Sequence, residues 1–171
     1  MKIFALAAVF ALGLSAQSAN PMSEELKGLY NGIRNNLIKA AEKMPEESYA
    51  FKPSHDIRSF GQLVGHVADA QYLFCSADKA EADKKKSPGA EKALTKKADL
   101  VAALKEGFAY CDASYAALTD ANASKMMTMF GRQRSMMGIL SMNASHNNEH
   151  YGNIVTYMRI RGFVPPSSEG R

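Results

Sequence analysis

Residues 139–157 read ILSMNASHNNEHYGNIVTY, and the spacing inside this run decides the fold. Ile139, Asn143, His146, His150, Asn153 and Tyr157 recur at steps of three and four, the repeat of one helix face. At 100° per residue, His150 lies about 40° around the helix from His146, Asn143 about 60° away, and Asn153 about 20° away on the other side. A purely structural helix would carry Leu or Ile along such a stripe, because an unpaired buried polar group costs about 1–3 kcal/mol. The helix is expected from near Arg134 to Arg161. Gly162 serves as its C-cap, Phe163 is placed against the last turn, and Pro165-Pro166 lies beyond.

Three more amphipathic segments precede it. Ser23 is suited to cap a helix with Glu24 and Glu25 in its first turn. Leu26, Tyr30, Ile33, Leu37, Ala40 and Met44 then repeat at helical spacing until Pro45 ends the run. Ser59 with Gln62 forms a capping-box pattern, and Leu63, His66, Ala70, Leu73 and Ala77 keep one face of a second helix. The Lys-rich stretch 81–97, with Pro88-Gly89, reads as a long solvated crossover loop. Leu100, Leu104, Phe108, Cys111, Tyr115 and Leu118 mark a third helix, followed by a polar connection from about Asp120. No segment sustains a period of two. Four such helices make an all-α chain, a four-helix bundle with a long crossover between helices 2 and 3.

Composition narrows the function. The chain has 171 residues, 46% hydrophobic and 22% charged, which supports one domain with a real core. Its net charge of +4 comes from 21 basic and 17 acidic residues spread along the chain, which argues against nucleic acid as a partner. No apolar run reaches the roughly 18 residues of a spanning helix, so a membrane is not expected either. Lys2, the apolar run Ile3 to Leu14 and the small residues 15–19 read as a secretory signal peptide over 1–19, cleaved near Ser18 or Ala19. The mature domain, 20–171, is thus expected in a periplasm or secreted.

The chain has four histidines. His55 sits in a Pro-flanked loop and is given no role. His66 faces inward on the second helix, beside the small Ala70. With His146 and His150 it offers three neutral nitrogen donors around one point, the ligand set of an open metal site with a position left for water or substrate. The alternative is three core histidines, each satisfied by an Asn, a Tyr or a backbone carbonyl. His146-Asn147-Asn148-Glu149-His150 also fits the inverted zinc-protease pattern H-x-x-E-H, with Glu149 as general base, but the only acidic residue downstream is Glu169. Asn143, Asn153 and Tyr157 are candidates to orient the imidazoles.

The segment Ser59-Phe60-Gly61-Gln62-Leu63-Val64-Gly65-His66-Val67-Ala68-Asp69-Ala70 and the segment from His146 through Arg161-Gly162 to Ser168 together resemble the DinB-like (YfiT-like) superfamily of metal-binding four-helix bundles, over about 22–168. The resemblance implies a divalent transition metal, zinc or nickel, on His66, His146 and His150. It also implies a homodimer and a small-molecule substrate, with hydrolase-type or thiol-transferase-like chemistry. The catalytic residue is left open, with Glu149 as the one candidate. A non-catalytic metal carrier or sensor is the competing class, and a metal-free interaction module the third.

Cys75 and Cys111 could form a disulfide in an oxidising compartment. A simple antiparallel hairpin would offset them along the helices, so only an asymmetric crossover would bring them together. Met126, Met127, Met129, Met136, Met137 and Met142 suit core filler and a flexible loop better than copper handling. The sequons at Asn122 and Asn143 are discounted, the second because it faces a helix core.

Overall fold

Pro21, with φ preset for a helix and no amide hydrogen to lose, opens α1 (Pro21–Lys43) in the computed structural model, which describes residues 18–170. The signal-peptide reading falls mainly on residues 1–17, outside the described residues. Ser23 is not the cap. It lies buried inside the first turn, and the distant Asp120 carboxylate accepts from the Met22 and Ser23 amides at 3.2 and 2.8 Å and from the Ser23 hydroxyl at 2.6 Å. An acceptor from another part of the chain thus does the capping that the local sequence suggested for Ser23.

The capping box at Ser59 and Gln62 is present with both of its bonds, and it opens α2 (Phe60–Cys75). Residues 81–88 of the crossover are exposed, as its Lys content suggests, and Ala90 is buried. The crossover folds a short α3 (Ala90–Ala93) back onto α2 before α4 (Lys97–Ala117) begins. The polar connection after α4 contains two strands, β1 (Met126–Met129) and β2 (Arg132–Ser135), paired antiparallel with Met126 opposite Ser135. Phe130 and Gly131 form the turn, both at positive φ, as a two-residue hairpin turn demands. The strands were invisible to pattern reading because neither alternates between apolar and polar residues.

The last helix, α5 (Met136–Ile160), starts two residues after the expected Arg134. It ends in a Schellman arrangement: the Phe163 amide donates to Met158 O at 2.8 Å, the Gly162 amide to Arg159 O at 3.0 Å, and Gly162 has φ 81°.

The chain is mostly helical, and its four long helices bundle with an unusual order of directions. Gly61, Ala68 and Cys75 of α2 meet Leu100, Gly107 and Cys111 of α4 in the same chain order, so these two helices run parallel. Tyr30 and Lys27 of α1 meet Asp112 and Ala116 of α4 in reverse order, and Gln71 and His66 of α2 likewise meet Asn143 and His150 of α5. The order is therefore up, down, down, up, and the 76–96 crossover supplies the return that lets α2 and α4 point the same way. Parallel alignment removes the axial offset of a hairpin. Cys75 and Cys111 are joined in a disulfide with Cα atoms 5.2 Å apart.

The sequence-derived stripes of α1 and α4 are all buried. Two inward assignments fail: Leu73 on α2 is 54% exposed, and Asn153 on α5 is exposed. No helix among the described residues is long and apolar enough to cross a membrane.

Candidate metal centre

α2 and α5 cross antiparallel in the middle of the bundle, and each presents histidine at that level. His146 Nε2 lies 3.1 Å from His66 Nε2 and 3.1 Å from His150 Nε2. One ligating atom from each ring falls within 4.8 Å of the others, and His66, His146 and His150 are the group of this kind among the described residues. His150 is buried, and His66 and His146 are half-buried. His55, exposed and beside Asp56, is not part of the group.

Electrostatics fix one tautomer. His66 Nδ1 sits 2.9 Å from Glu91 Oε2, and Arg58 Nε donates to Glu91 Oε1 at 2.8 Å. Burial alone would raise the Glu91 carboxyl, but the hydrogen bonds from Arg58 and His66 hold it below the usual carboxylate range. An ionised carboxylate can only accept, so His66 Nδ1 carries the hydrogen and its Nε2 keeps a free lone pair toward the other rings. His146 Nδ1 and His150 Nδ1 are buried and have no partner.

Three Nε2 atoms so placed make at most one good hydrogen bond among neutral rings. The arrangement that uses every lone pair is a shared cation. A tetrahedral ion with metal–nitrogen bonds of about 2.0–2.1 Å spaces its ligands about 3.3 Å apart, close to the two 3.1 Å separations at His146, within a group whose ligand atoms all lie within 4.8 Å of one another. The donor set therefore fits a transition metal. Protonation is disfavoured at the same point. Burial, then the neighbouring charges of His146 and His66, pushes His150 down to about 4. Burial and then His66 lower His146 as well.

The three candidate orienting residues do other work. Asn143 lies within a buried amide cluster: its Nδ2 donates to Gln71 Oε1 at 3.1 Å, while its Oδ1 accepts from Asn147 Nδ2 at 3.2 Å and from the Tyr115 hydroxyl at 2.9 Å. Gln71 Nε2 in turn donates to Asn147 Oδ1 at 2.8 Å. Tyr157 donates to Arg58 O at 2.7 Å and so ties down the segment that enters α2. The exposed Asn153 lines a cavity beside His150. None of the three hydrogen-bonds an imidazole.

The partner that does so, Glu91, was missed, because 25 residues separate it from His66 and the stretch between them carries no strong helical pattern. Its approach is set by α2 itself. Asp69 accepts from the Ala90 and Glu91 amides at 2.8 and 3.0 Å, and a Cβ at Gly65 would lie 2.7 Å from Glu91 N and Cα. Only glycine lets α3 settle that close.

A cavity of about 580 Å³ opens at His150, with Arg58, Glu91, Glu149 and Tyr157 on its walls. A second, of about 370 Å³, opens at His66 and His146. Glu149 is exposed at the rim of the first. Glu169, the acidic residue the protease pattern would need, is paired with Lys43 at 2.6 Å.

A family model described as the DinB superfamily matches residues 29–154. The chain is 26% identical over 143 residues to a Bacillus subtilis (strain 168) protein named as uncharacterized protein YjoA, covering 82% of this chain and 91% of that one. Among solved structures, a DinB-like protein from Bacillus cereus ATCC 10987 superposes with a TM-score of 0.68 at 20% identity, covering 84% of this chain and 95% of that one. The crystal structure of the Bacillus subtilis DinB-like protein YjoA gives 0.62 at 21%, covering 86% and 99%. A conserved protein from Enterococcus faecalis also gives 0.62, at 15%, covering 81% and 95%. These likenesses establish the fold.

Proposed function

The chain belongs to the DinB superfamily, and on that premise we propose that it is an exported metal-dependent enzyme in which His66, His146 and His150 hold one divalent transition metal, zinc or nickel. The observation that carries the reading is the convergence of three Nε2 atoms, one of them held as a lone-pair donor by Glu91. Cavities at both sides of the group favour catalysis over storage, since a carrier site is usually sealed by side chains. A bound divalent metal supplies Lewis acidity to a substrate atom.

The chain's own residues do the rest. Glu91 fixes the His66 ring and tautomer, and Arg58 holds Glu91 in turn. Burial keeps His146 and His150 unprotonated and ready to donate. Glu149, on the cavity wall beside His150, is positioned to take a proton from a group bound there. The reaction class is hydrolase-type or thiol-transferase-like transfer on a small molecule, with a homodimer as the working form and neither nucleic acid nor membrane as a partner. The Cys75–Cys111 disulfide supports an oxidising compartment.

The test is elemental analysis of the untagged mature protein and of a His146→Ala, His150→Ala double variant, both grown in metal-replete medium. About one transition metal per chain in the parent and none in a folded variant is expected. No metal in the parent after reconstitution would overturn the reading.

A further inference from the structure

The cleft at His66 and His146 differs in chemistry from the polar cavity at His150. It lies between α2, the Ser87 segment and the β1–β2 hairpin, with a volume of about 370 Å³. Its polar side chains are already engaged. Asp69 accepts from the Ser87 hydroxyl and from the Ala90 and Glu91 amides. What remains is Ala70, Leu73, Phe74, Phe130 and the two imidazoles.

Leu73 and Phe130 are 54% and 58% exposed. They are large apolar residues left in water at the lip of a concave surface. Phe130 also holds a φ of 51°, a conformation unfavourable for any residue with a Cβ. Its ring stands edge-on to Phe74 at 6.3 Å, and Phe74 lies 5.4 Å from the His146 ring. An aromatic ladder thus runs from the strained hairpin tip to the candidate metal centre.

We infer that this cleft is the subsite for an apolar group of the substrate, whose metal-binding atom lies at the His66–His146 end. The inference rests on the metal reading above. A small molecule is the occupant because the cleft has the size of a ligand site and its inner wall is formed by the imidazoles themselves. Such a substrate carries an aliphatic or aromatic arm of a few carbons beside its donor atom. Leu73 and Phe130 cover the arm.

The test uses the zinc-loaded protein and two hydroxamates, with acetohydroxamate as the bare head group and hexanohydroxamate as the same head with a longer chain. Each buried methylene is worth about three- to fourfold in affinity. Hexanohydroxamate is expected to bind at least about tenfold tighter to the parent. In a Leu73→Ser, Phe130→Asn double variant that advantage should fall below about threefold, with acetohydroxamate affinity held within about twofold. Both positions are exposed, and Asn tolerates the positive φ better than Phe.

Fluorobenzene added to the metal-free protein, followed by ¹⁹F NMR broadening, probes the cleft separately. Binding is expected in the parent and not in the variant. Equal affinities of the two hydroxamates in the parent, or an advantage that survives in the variant, would overturn the subsite. Fluorobenzene binding with no hydroxamate binding would overturn the metal reading and support the cleft. A parent dimer that dissociates in the double variant would show a second copy to be the occupant and overturn the proposal.

Discussion

Replacing Gly65 with Ala adds one methyl group at the point where α3 rests on α2. The new Cβ would stand 2.7 Å from Glu91 Cα and N and 2.8 Å from Ala90 C. Ordinary carbon contacts need about 3.5–4.0 Å, so the two backbones must part by about 1 Å. No rotamer can relieve the clash, because the atoms struck are main chain. They are also tethered by Asp69, and the adjustment must break or stretch those bonds.

Overpacking of this kind costs about 1–3 kcal/mol, while Gly to Ala in a helix interior returns roughly 0.5–1 kcal/mol. Gly152, inside α5 with nothing within 4 Å of its Cβ position, isolates the second effect. The Gly65→Ala protein should therefore be less stable than Gly152→Ala by about 1–3 kcal/mol, or about 2–12 °C in Tm. The same displacement would carry the Glu91–His66 bond from 2.9 Å past hydrogen-bonding range. Zinc affinity, read by chelator competition, should fall about 10–100-fold in Gly65→Ala and stay unchanged in Gly152→Ala. Equal stability of the two variants with unaltered zinc affinity would refute the argument that glycine holds the crossover, and with it Glu91, in place.

Cys75→Ala with Cys111→Ala opens a 36-residue loop and should cost about 3–4 kcal/mol by the loop-entropy account, read from urea unfolding of parent and variant in oxidising buffer; coincident curves of the two proteins would count against it. The metal-free protein should lose stability as pH falls. His150 titrates near 4 when folded and about 6.5 when unfolded, so the unfolded chain binds more protons between those values. The loss, on the order of 2–4 kcal/mol, is complete below pH 4 and absent above about 6.5; a flat urea midpoint across that window would contradict it. Gln71→Leu strands the buried amides of Asn143 and Asn147 and is expected to cost about 2–4 kcal/mol, against less than about 0.5 kcal/mol for the exposed Asn153→Ala. Glu91→Ala should weaken zinc binding about 10–100-fold while leaving the helical circular dichroism spectrum unchanged.

Much of this protein is legible along the chain. The apolar repeats of α1 and α4, the capping box of α2 and the Gly162 stop of α5 are local matters of period and backbone preference, and each appears where its residues indicate. The histidine stripe belongs to the same class, because His146 and His150 are one turn apart and must share a face wherever the helix goes.

Harder to read were features whose partners are far apart in sequence. Asp120 caps α1 across about a hundred residues, and Ser23 is thereby released from that task. Asn153 and Asn143 both lie on the stripe by angle, yet one ends in water and the other in an amide cluster with Gln71 and Tyr115. Helical period gives an angle around one axis; how deep a residue sits depends on which neighbours pack there.

By itself, the sequence determined the long helices, the bundle class and the three histidines as a candidate set, because these follow from repeats within a few turns of chain. Tertiary structure alone decided that α2 and α4 run parallel, that Cys75 therefore reaches Cys111, and that the crossover brings Glu91 to His66. Those outcomes depend on where a long connection returns, and the backbone preferences of its residues do not encode a direction. It is set by close approach at Gly65, by the Asp69 carboxylate and by the burial that parallel packing makes available.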